Sequence, residues 1–302
     1  MRRALAVALL AAILSAAAAG KPPPVRQFEP SSNWVVDYAN ERCSLMRDFG
    51  TGDDTVRFQL DSYGSWSDFR VLLVGKPISI TTSPSARASI RFSNELLYRE
   101  VGILQGISGA EKRPSISFQV LIAPETNAED WEGLSKDEAK RRAYEWQKPH
   151  PDFEAKIDAL TVRPARGSPI KVHLGDMVQP LAAMRACVDD LYKSWGLEPA
   201  QQKALSRPAS PIEATVKHMQ QDYPQRMLLT GTSAYVPVRL LIDASGEATS
   251  CVVQSDVADE AFKAAVCQNL QGSFDPALDA GGRPVASVYH TSVVFLMGGW
   301  QR

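Results

Sequence analysis

Beginning at Asn33-Trp34-Val35-Val36-Asp37-Tyr38, apolar side chains recur at every second position in short bursts. The clearest are Val56, Phe58 and Leu60; Phe69 with Val71-Leu72-Leu73-Val74; Ile78 and Ile80; and Ile116, Phe118, Val120 and Ile122. Turn-forming clusters, Gly50-Thr51-Gly52-Asp53-Asp54 and Thr82-Ser83-Pro84-Ser85, lie between them. Period-two bursts punctuated by turn residues predict antiparallel strands, each with a buried face. Two segments change to helical spacing. Ser135-Lys136-Asp137-Glu138 is a capping box, and its helix runs to about Gln147, before Pro149. A second helix follows Asp176 as N-cap and ends before Gly196, with Met177, Leu181, Met184, Val188, Leu191 and Trp195 along one stripe. Cys187 lies beside that stripe. Residues 159–162 and 170–174 predict another strand pair around Pro164-Ala165-Arg166-Gly167.

Beyond Trp195 the periodicity loosens, and Ser206-Arg207-Pro208-Ala209-Ser210-Pro211 predicts an interdomain linker. A different unit follows. Residues 235–242 place Val236, Val238, Leu240 and Ile242 on one strand face. Asp243-Ala244-Ser245-Gly246 is a four-residue turn with glycine where a positive φ is needed. Residues 248–254 return as the second strand, and 259–270 read as a helix burying Phe262, Ala265, Val266 and Leu270. Phe274-Asp275-Pro276-Ala277 is irregular, and Ala280-Gly281-Gly282-Arg283 turns into a last strand over 285–295. The order is β-β-α-β, with one helix over one face of a small antiparallel sheet. The predicted fold class is α+β: a β-rich N-terminal domain with two helices, then this small domain. No repeat joins the halves.

The first residues supply a compartment. Arg2 and Arg3 precede an apolar run from Ala4 to Ala19, and Ala17-Ala18-Ala19 suits cleavage after Ala19. This is the form of a secretory signal peptide, so residues 1–19 read as a leader. Residues 20–32 read as a Pro-rich linker, 33–205 as the N-terminal domain, 206–218 as a second linker and 219–302 as the C-terminal domain. The expected location is the periplasm; the alternative is an uncleaved anchor in the inner membrane, facing the periplasm. The net charge is −1, which excludes capture of nucleic acid or an anionic membrane by bulk electrostatics. In an exported chain the four cysteines, Cys43, Cys187, Cys251 and Cys267, are expected oxidised in pairs. There is no C-x-x-C for a zinc knuckle or a thioredoxin-type pair, and three disulfide pairings remain open.

Catalytic signatures are missing. The four histidines, His150, His173, His218 and His290, have no metal-site spacing, and there is no G-x-S-x-G elbow. Asp48-Phe49-Gly50 lacks the glycine-rich loop and H-R-D motif that would make it a kinase triplet. Asp53-Asp54 points its carboxylates to opposite sides and reads as a solvated turn. The six tryptophans, Trp34, Trp66, Trp131, Trp146, Trp195 and Trp300, are expected mostly in the core or half-buried. No catalytic residue, metal or cofactor is predicted.

The C-terminal unit resembles the C-terminal domain of TonB-type energy transducers. The resemblance rests on Tyr223-Pro224, Gly231, the strand–turn–strand through Asp243 and Gly246, and the helix from Asp259. Phe274-x-Pro276-Ala277, Gly281 or Gly282, Pro284-Val285 and the closing strand to Phe295 complete it. It implies a module that adds a segment of an outer-membrane transporter as a strand to its open edge. That edge is the last strand: Val288, Tyr289, His290, Thr291, Ser292, Val293 and Val294. A shielded edge, or a homodimer formed through it, is the alternative. The chain departs from the family in its cleavable leader and in a folded domain where a long spacer belongs. The N-terminal domain is similar to regions preceding such modules in exported bacterial proteins of unknown role, and that similarity implies no activity.

In the β-β-α-β unit, Cys251 shares a strand face with Thr249 and Val253, and Cys267 lies at the flank of the helix's apolar side. This pairs Cys251 with Cys267 and leaves Cys43 for Cys187. The leading functional reading is a non-catalytic exported protein that binds a protein or peptide partner, linked to outer-membrane transport. The alternatives are a periplasmic enzyme or small-ligand binder working through the N-terminal domain, and an anchored TonB-type transducer.

Overall fold

The computed structural model describes residues 23–219, 229, 234–255, 260–270 and 272–295. The leader, Tyr223-Pro224, Gly231, Asp259 and Trp300 lie outside these residues.

The period-two bursts form one ten-stranded sheet. In chain order its strands are β1 (Arg26–Phe28), β2 (Val35–Ala39), β3 (Arg42–Phe49), β4 (Val56–Ser62) and β5 (Asp68–Val74). They continue as β6 (Ser85–Arg91), β7 (Arg99–Ser108), β8 (Arg113–Leu121), β9 (Leu160–Pro164) and β10 (Ile170–Val172). The spatial order is β1-β10-β9-β6-β7-β8-β5-β4-β3-β2, and all pairings except β1 with β10 are antiparallel. Leu45 sits opposite Leu60, Leu60 opposite Val71 and Val71 opposite Phe118. All four are buried, so the apolar bursts meet across strands as one continuous inner face.

The sheet closes on itself through a segment expected to be a tether. Arg26–Phe28 pairs in parallel with β10, Phe28 is only 5% exposed, and Pro30 bridges Phe49 at the end of β3. Gly50 N–H donates to Glu29 O at 2.8 Å and Ser31 N–H to Asp48 O at 2.9 Å. The reading of 20–32 as a linker is therefore corrected from Arg26 onward. One aromatic ring buried among the strands anchors this polar, Pro-containing stretch.

Helix α1 (Lys136–Trp146) has the expected capping box, and it is followed by the single turn of α2 (Pro151–Glu154). Helix α3 (Val178–Ser194) has Met177 at its N-cap instead of the expected Asp176, whose Oδ1 accepts from Val178 N–H at 2.9 Å from just outside the helix. Its stripe of Leu181, Met184, Val188 and Leu191 is buried on the sheet's inner face. Cys187 on that helix is bonded to Cys43 on β3, with Cα atoms 6.0 Å apart. The short α4 (Pro199–Lys203) follows.

The 206–218 segment is not a free linker. Leu205 and Ala209 belong to the C-terminal core. Ser206 N–H donates to Leu278 O, and Leu278 N–H to Arg207 O, both at 2.9 Å. β11 (Ser210–Pro211) pairs with β14 (Phe274–Asp275). Helix α5 (Glu213–Met219) carries the buried Thr215, whose hydroxyl donates to Ser273 O at 2.9 Å. Proline marks strand edges here instead of a mobile connection.

The C-terminal sheet has the order β13-β12-β17, made of β12 (Ala234–Ile242), β13 (Ala248–Val253) and β17 (Ser287–Phe295). Two-residue strands β15 (Ala277–Leu278) and β16 (Pro284–Val285) pair beside it. At the β12–β13 turn Gly246 has φ +88°, and a Cβ there would lie 2.2 Å from Phe274 O, so glycine is required. Helix α6 (Glu260–Leu270) lays Phe262, Val266 and Leu270 against Val236, Val238, Leu240 and Ile242. Cys251 on β13 is bonded to Cys267 on α6, with Cα atoms 5.8 Å apart.

Candidate partner-binding face

Strand alternation sorts β17 into two rows. Tyr289, Thr291 and Val293 stand opposite Leu240, Val238 and Val236, on the α6 side of the sheet. Val288, His290, Ser292 and Val294 stand opposite Leu241, Arg239, Pro237 and Tyr235 on the other side. The sequence predicted a helix over one face only. The structure covers both, because the second face packs on the N-terminal domain.

Arg239 is the centre of that contact. Its Nε donates to Glu41 Oε2 at 3.0 Å and its Nη2 to Glu41 Oε1 at 2.9 Å. Its guanidinium also stacks 4.7 Å from the Trp195 ring centroid. Arg239 is only 5% exposed and Glu41 keeps 29% of its side-chain exposure, so the pair is a two-pronged bridge between domains with its arginine end desolvated. Gln254 Nε2 donates to the carbonyls of Glu41 and Tyr63, each at 3.0 Å. On the other flank, Ser287 Oγ donates to Gln202 Oε1 at 2.7 Å and Gln202 Nε2 to Ala286 O at 3.0 Å. A third chain of bonds runs from Ser292 Oγ to Tyr235 OH at 2.7 Å and from Tyr235 OH to Gln119 Oε1 at 3.0 Å. It ends where Gln119 Nε2 donates to Asp68 Oδ1 at 2.9 Å. None of these polar residues has a spacing that marks it; an arginine at the centre of an apolar strand is the single sequence signal.

The expected edge residues are thus held differently. Val288 is 7% exposed and joins the N-terminal core. Tyr289 packs 5.2 Å from Phe274, and Val293 packs on the C-terminal core. Val294 is 41% exposed. Among the described residues β17 has one strand partner, β12. At its N-terminal end the edge opens on an interdomain cavity of about 360 Å³ lined by Trp66, Tyr144, Tyr192, Gln202, Tyr289 and His290. Trp66 stacks on Tyr192 at 4.6 Å, and its Nε1 donates to Asp189 at 2.7 Å.

Burial sets the protonation of this face. It pushes the His290 imidazole down to about 4, and His290 Nδ1 has no hydrogen-bond partner among the described residues. It pushes the Asp68 carboxyl up to about 6, against the opposing Gln119 bond. It also pushes the phenols of Tyr192 and Tyr235 well up and that of Tyr144 up to about 12. Among the described residues no three His, Cys, Asp or Glu side chains converge on a metal position. No helix among them is long and apolar enough to cross a membrane. Asp53 and Asp54 each form an exposed ion pair, with Lys76 at 2.6 Å and Arg26 at 2.8 Å.

Residues 219–297 match the family of the Gram-negative bacterial TonB protein C-terminal. The C-terminal domain is therefore TonB C-terminal-like, a module associated with the cell envelope. Domains of this type are typically non-catalytic and interact with proteins such as outer-membrane transporters. The preceding residues carry no family assignment. No curated protein and no solved structure matches the chain.

Proposed function

We propose that this is a non-catalytic, exported periplasmic protein whose C-terminal module takes up an extended peptide as a fourth strand along β17. The peptide comes from a protein partner, and the TonB-like character of the module favours a segment of an outer-membrane transporter. The observation that carries this reading is that, among the described residues, β17 has a single strand partner while side chains on both of its faces, Val288 on one and Tyr289 and Val293 on the other, are packed. A strand packed on both faces holds its edge N–H and C=O groups in fixed register, and an incoming strand satisfies them with little further ordering. The N-terminal domain acts as the seat of that edge. The leader-like first residues and two disulfides, which persist in oxidising compartments, support export.

The test is amide hydrogen exchange of the mature protein with and without an extended peptide from a transporter's periplasmic segment. The backbone of residues 291–294 is expected to gain protection on binding, and a Val294→Pro variant to bind at least about tenfold more weakly, since it disturbs the edge ladder. Absence of protection on β17 at saturating peptide, or a concentration-dependent β17–β17 dimer that excludes peptide, overturns the proposal.

A further inference from the structure

The interdomain cavity at the start of β17 lies along that strand's free edge. A void over one face of a strand meets every second side chain, whereas this one is lined by all of Ser287, Val288, Tyr289 and His290. Residues 239–242 of β12, which pair with those four, do not line it. The rest of the wall is aromatic and comes from the first domain: Trp66 stacked on Tyr192, and Tyr144 near the end of α1. The small sheet is antiparallel throughout. A peptide added antiparallel along residues 291–294 therefore carries its C-terminal end into this cavity.

The wall selects the kind of side chain that fits there. Its hydrogen-bonding groups are largely engaged within the chain. Tyr144 OH donates to Gln202 O at 2.8 Å, and the Gln202 side chain is held by Ser287 and Ala286. Trp66 Nε1 donates to Asp189 at 2.7 Å. Lys148 is paired with Glu145 at 2.6 Å and Lys203 with Asp189 at 2.7 Å, and each ammonium lies 5.3 Å from a wall ring, that of Tyr144 or Trp66. A charged or strongly polar side chain entering here loses water and gains no partner. An aromatic side chain loses little and meets ring faces and edges. The volume of about 360 Å³ is near the lower end of ligand-sized cavities, ~300–1,000 Å³, and suits one large side chain. We propose that the cavity is the anchor pocket of the β17 edge, taking an uncharged aromatic side chain, tryptophan or phenylalanine, at the C-terminal end of the bound peptide. This rests on strand addition to β17, and it adds a rule for which peptides bind.

The probes are versions of one extended peptide from a transporter's periplasmic segment, with Trp, Phe, Ala or Lys as the amidated C-terminal residue. Each is titrated into the full mature protein. Calorimetry reads affinity, hydrogen exchange at residues 291–294 reads strand addition, and the Trp66 indole N–H resonance reads the cavity. The Trp and Phe peptides are expected to bind at least about tenfold more tightly than the Ala and Lys peptides, the factor that burial of one large apolar side chain supplies. Only they shift the Trp66 signal, while all four protect 291–294 at saturation. Trp66→Ala is expected to bring the Trp peptide down to the affinity of the Ala peptide with 291–294 still protected. If Trp66→Ala fails to fold, Gln147→Trp, at an exposed position on the wall, narrows the cavity and is expected to do the same. Equal affinities among peptides that all protect 291–294 overturn the anchor pocket and leave strand addition standing, as does an aromatic preference undiminished in both variants. An aromatic preference with a Trp66 shift but no protection of 291–294 keeps the aromatic site and overturns strand addition alone. No binding by any of the peptides overturns both.

Discussion

Burial holds the His290 imidazole at a pKa of about 4, whereas in an unfolded chain it titrates near 6.5. Between those values the unfolded state binds a proton that the folded state refuses. This contribution to stability is therefore complete above about pH 6.5 and is lost as pH falls toward about 4, by at most roughly 3 kcal/mol. Asp68, raised to about 6 by its own burial, has the opposite sign. The folded state keeps its proton while the unfolded state releases it near 4, so stability is lost as pH rises through about 6, by a similar amount. Over about pH 4–6 the two largely cancel. Urea unfolding across this range is expected to show a steeper acid loss in Asp68→Asn than in the wild type, and the reverse trend in His290→Gln. Identical slopes in all three proteins would remove both residues from the pH account. Neither shift was legible from sequence. His290 reads as a period-two edge position and Asp68 as the start of a strand, and each pKa depends on which domain face it meets.

At the scale of elements, the strands and helices followed from local rules. The capping box at Ser135, the Asp176 contact and the Asp243–Gly246 turn all use short-range hydrogen bonds or a required positive φ. The Cys251–Cys267 link is also nearly local, at a sequence separation of 16. Closing a loop of that size stabilises by roughly 3 kcal/mol in the chain-entropy treatment. The double variant Cys251→Ala, Cys267→Ala is expected to lose about that much in denaturant unfolding, with hydrogen exchange rising first in β13 and α6. Faster exchange across the ten-stranded sheet instead would mean that the domains do not respond separately. The short segments at 26–28 and 206–218 escaped the local rules. Their pairing partners lie far along the chain, and Pro-rich composition hides a strand of two or three residues.

At the scale of the molecule, the two domains are joined across the second face of the C-terminal sheet. Arg239 and Glu41 form the ion pair at the centre of that junction. Removing one member of a partly desolvated pair leaves the other without its counter-charge. Arg239→Met is thus expected to cost about 2–3 kcal/mol, below the fully buried range because Glu41 keeps 29% of its side-chain exposure. Calorimetry is expected to change from one transition to two as the domains uncouple. A double-mutant cycle with Glu41→Gln measures the pair itself, and a coupling energy near zero would shift the junction's stability to Trp195 and Val288.

The α+β class, the strand periods, the spans of α1 and α3, the capping box of α1 and the β-β-α-β order of the TonB-like domain are readable along the chain. Each of these depends on residues close together in the chain or on a backbone conformation that few residues adopt. Only long-range packing closes the large sheet through residues 26–31, buries the back of the small sheet against the first domain, and packs Val288 and Val293 of β17 on opposite sides while leaving that strand one strand partner among the described residues. Those outcomes depend on contacts between residues as distant as Glu41 and Arg239, and no periodicity in one strand records what will cover its far face.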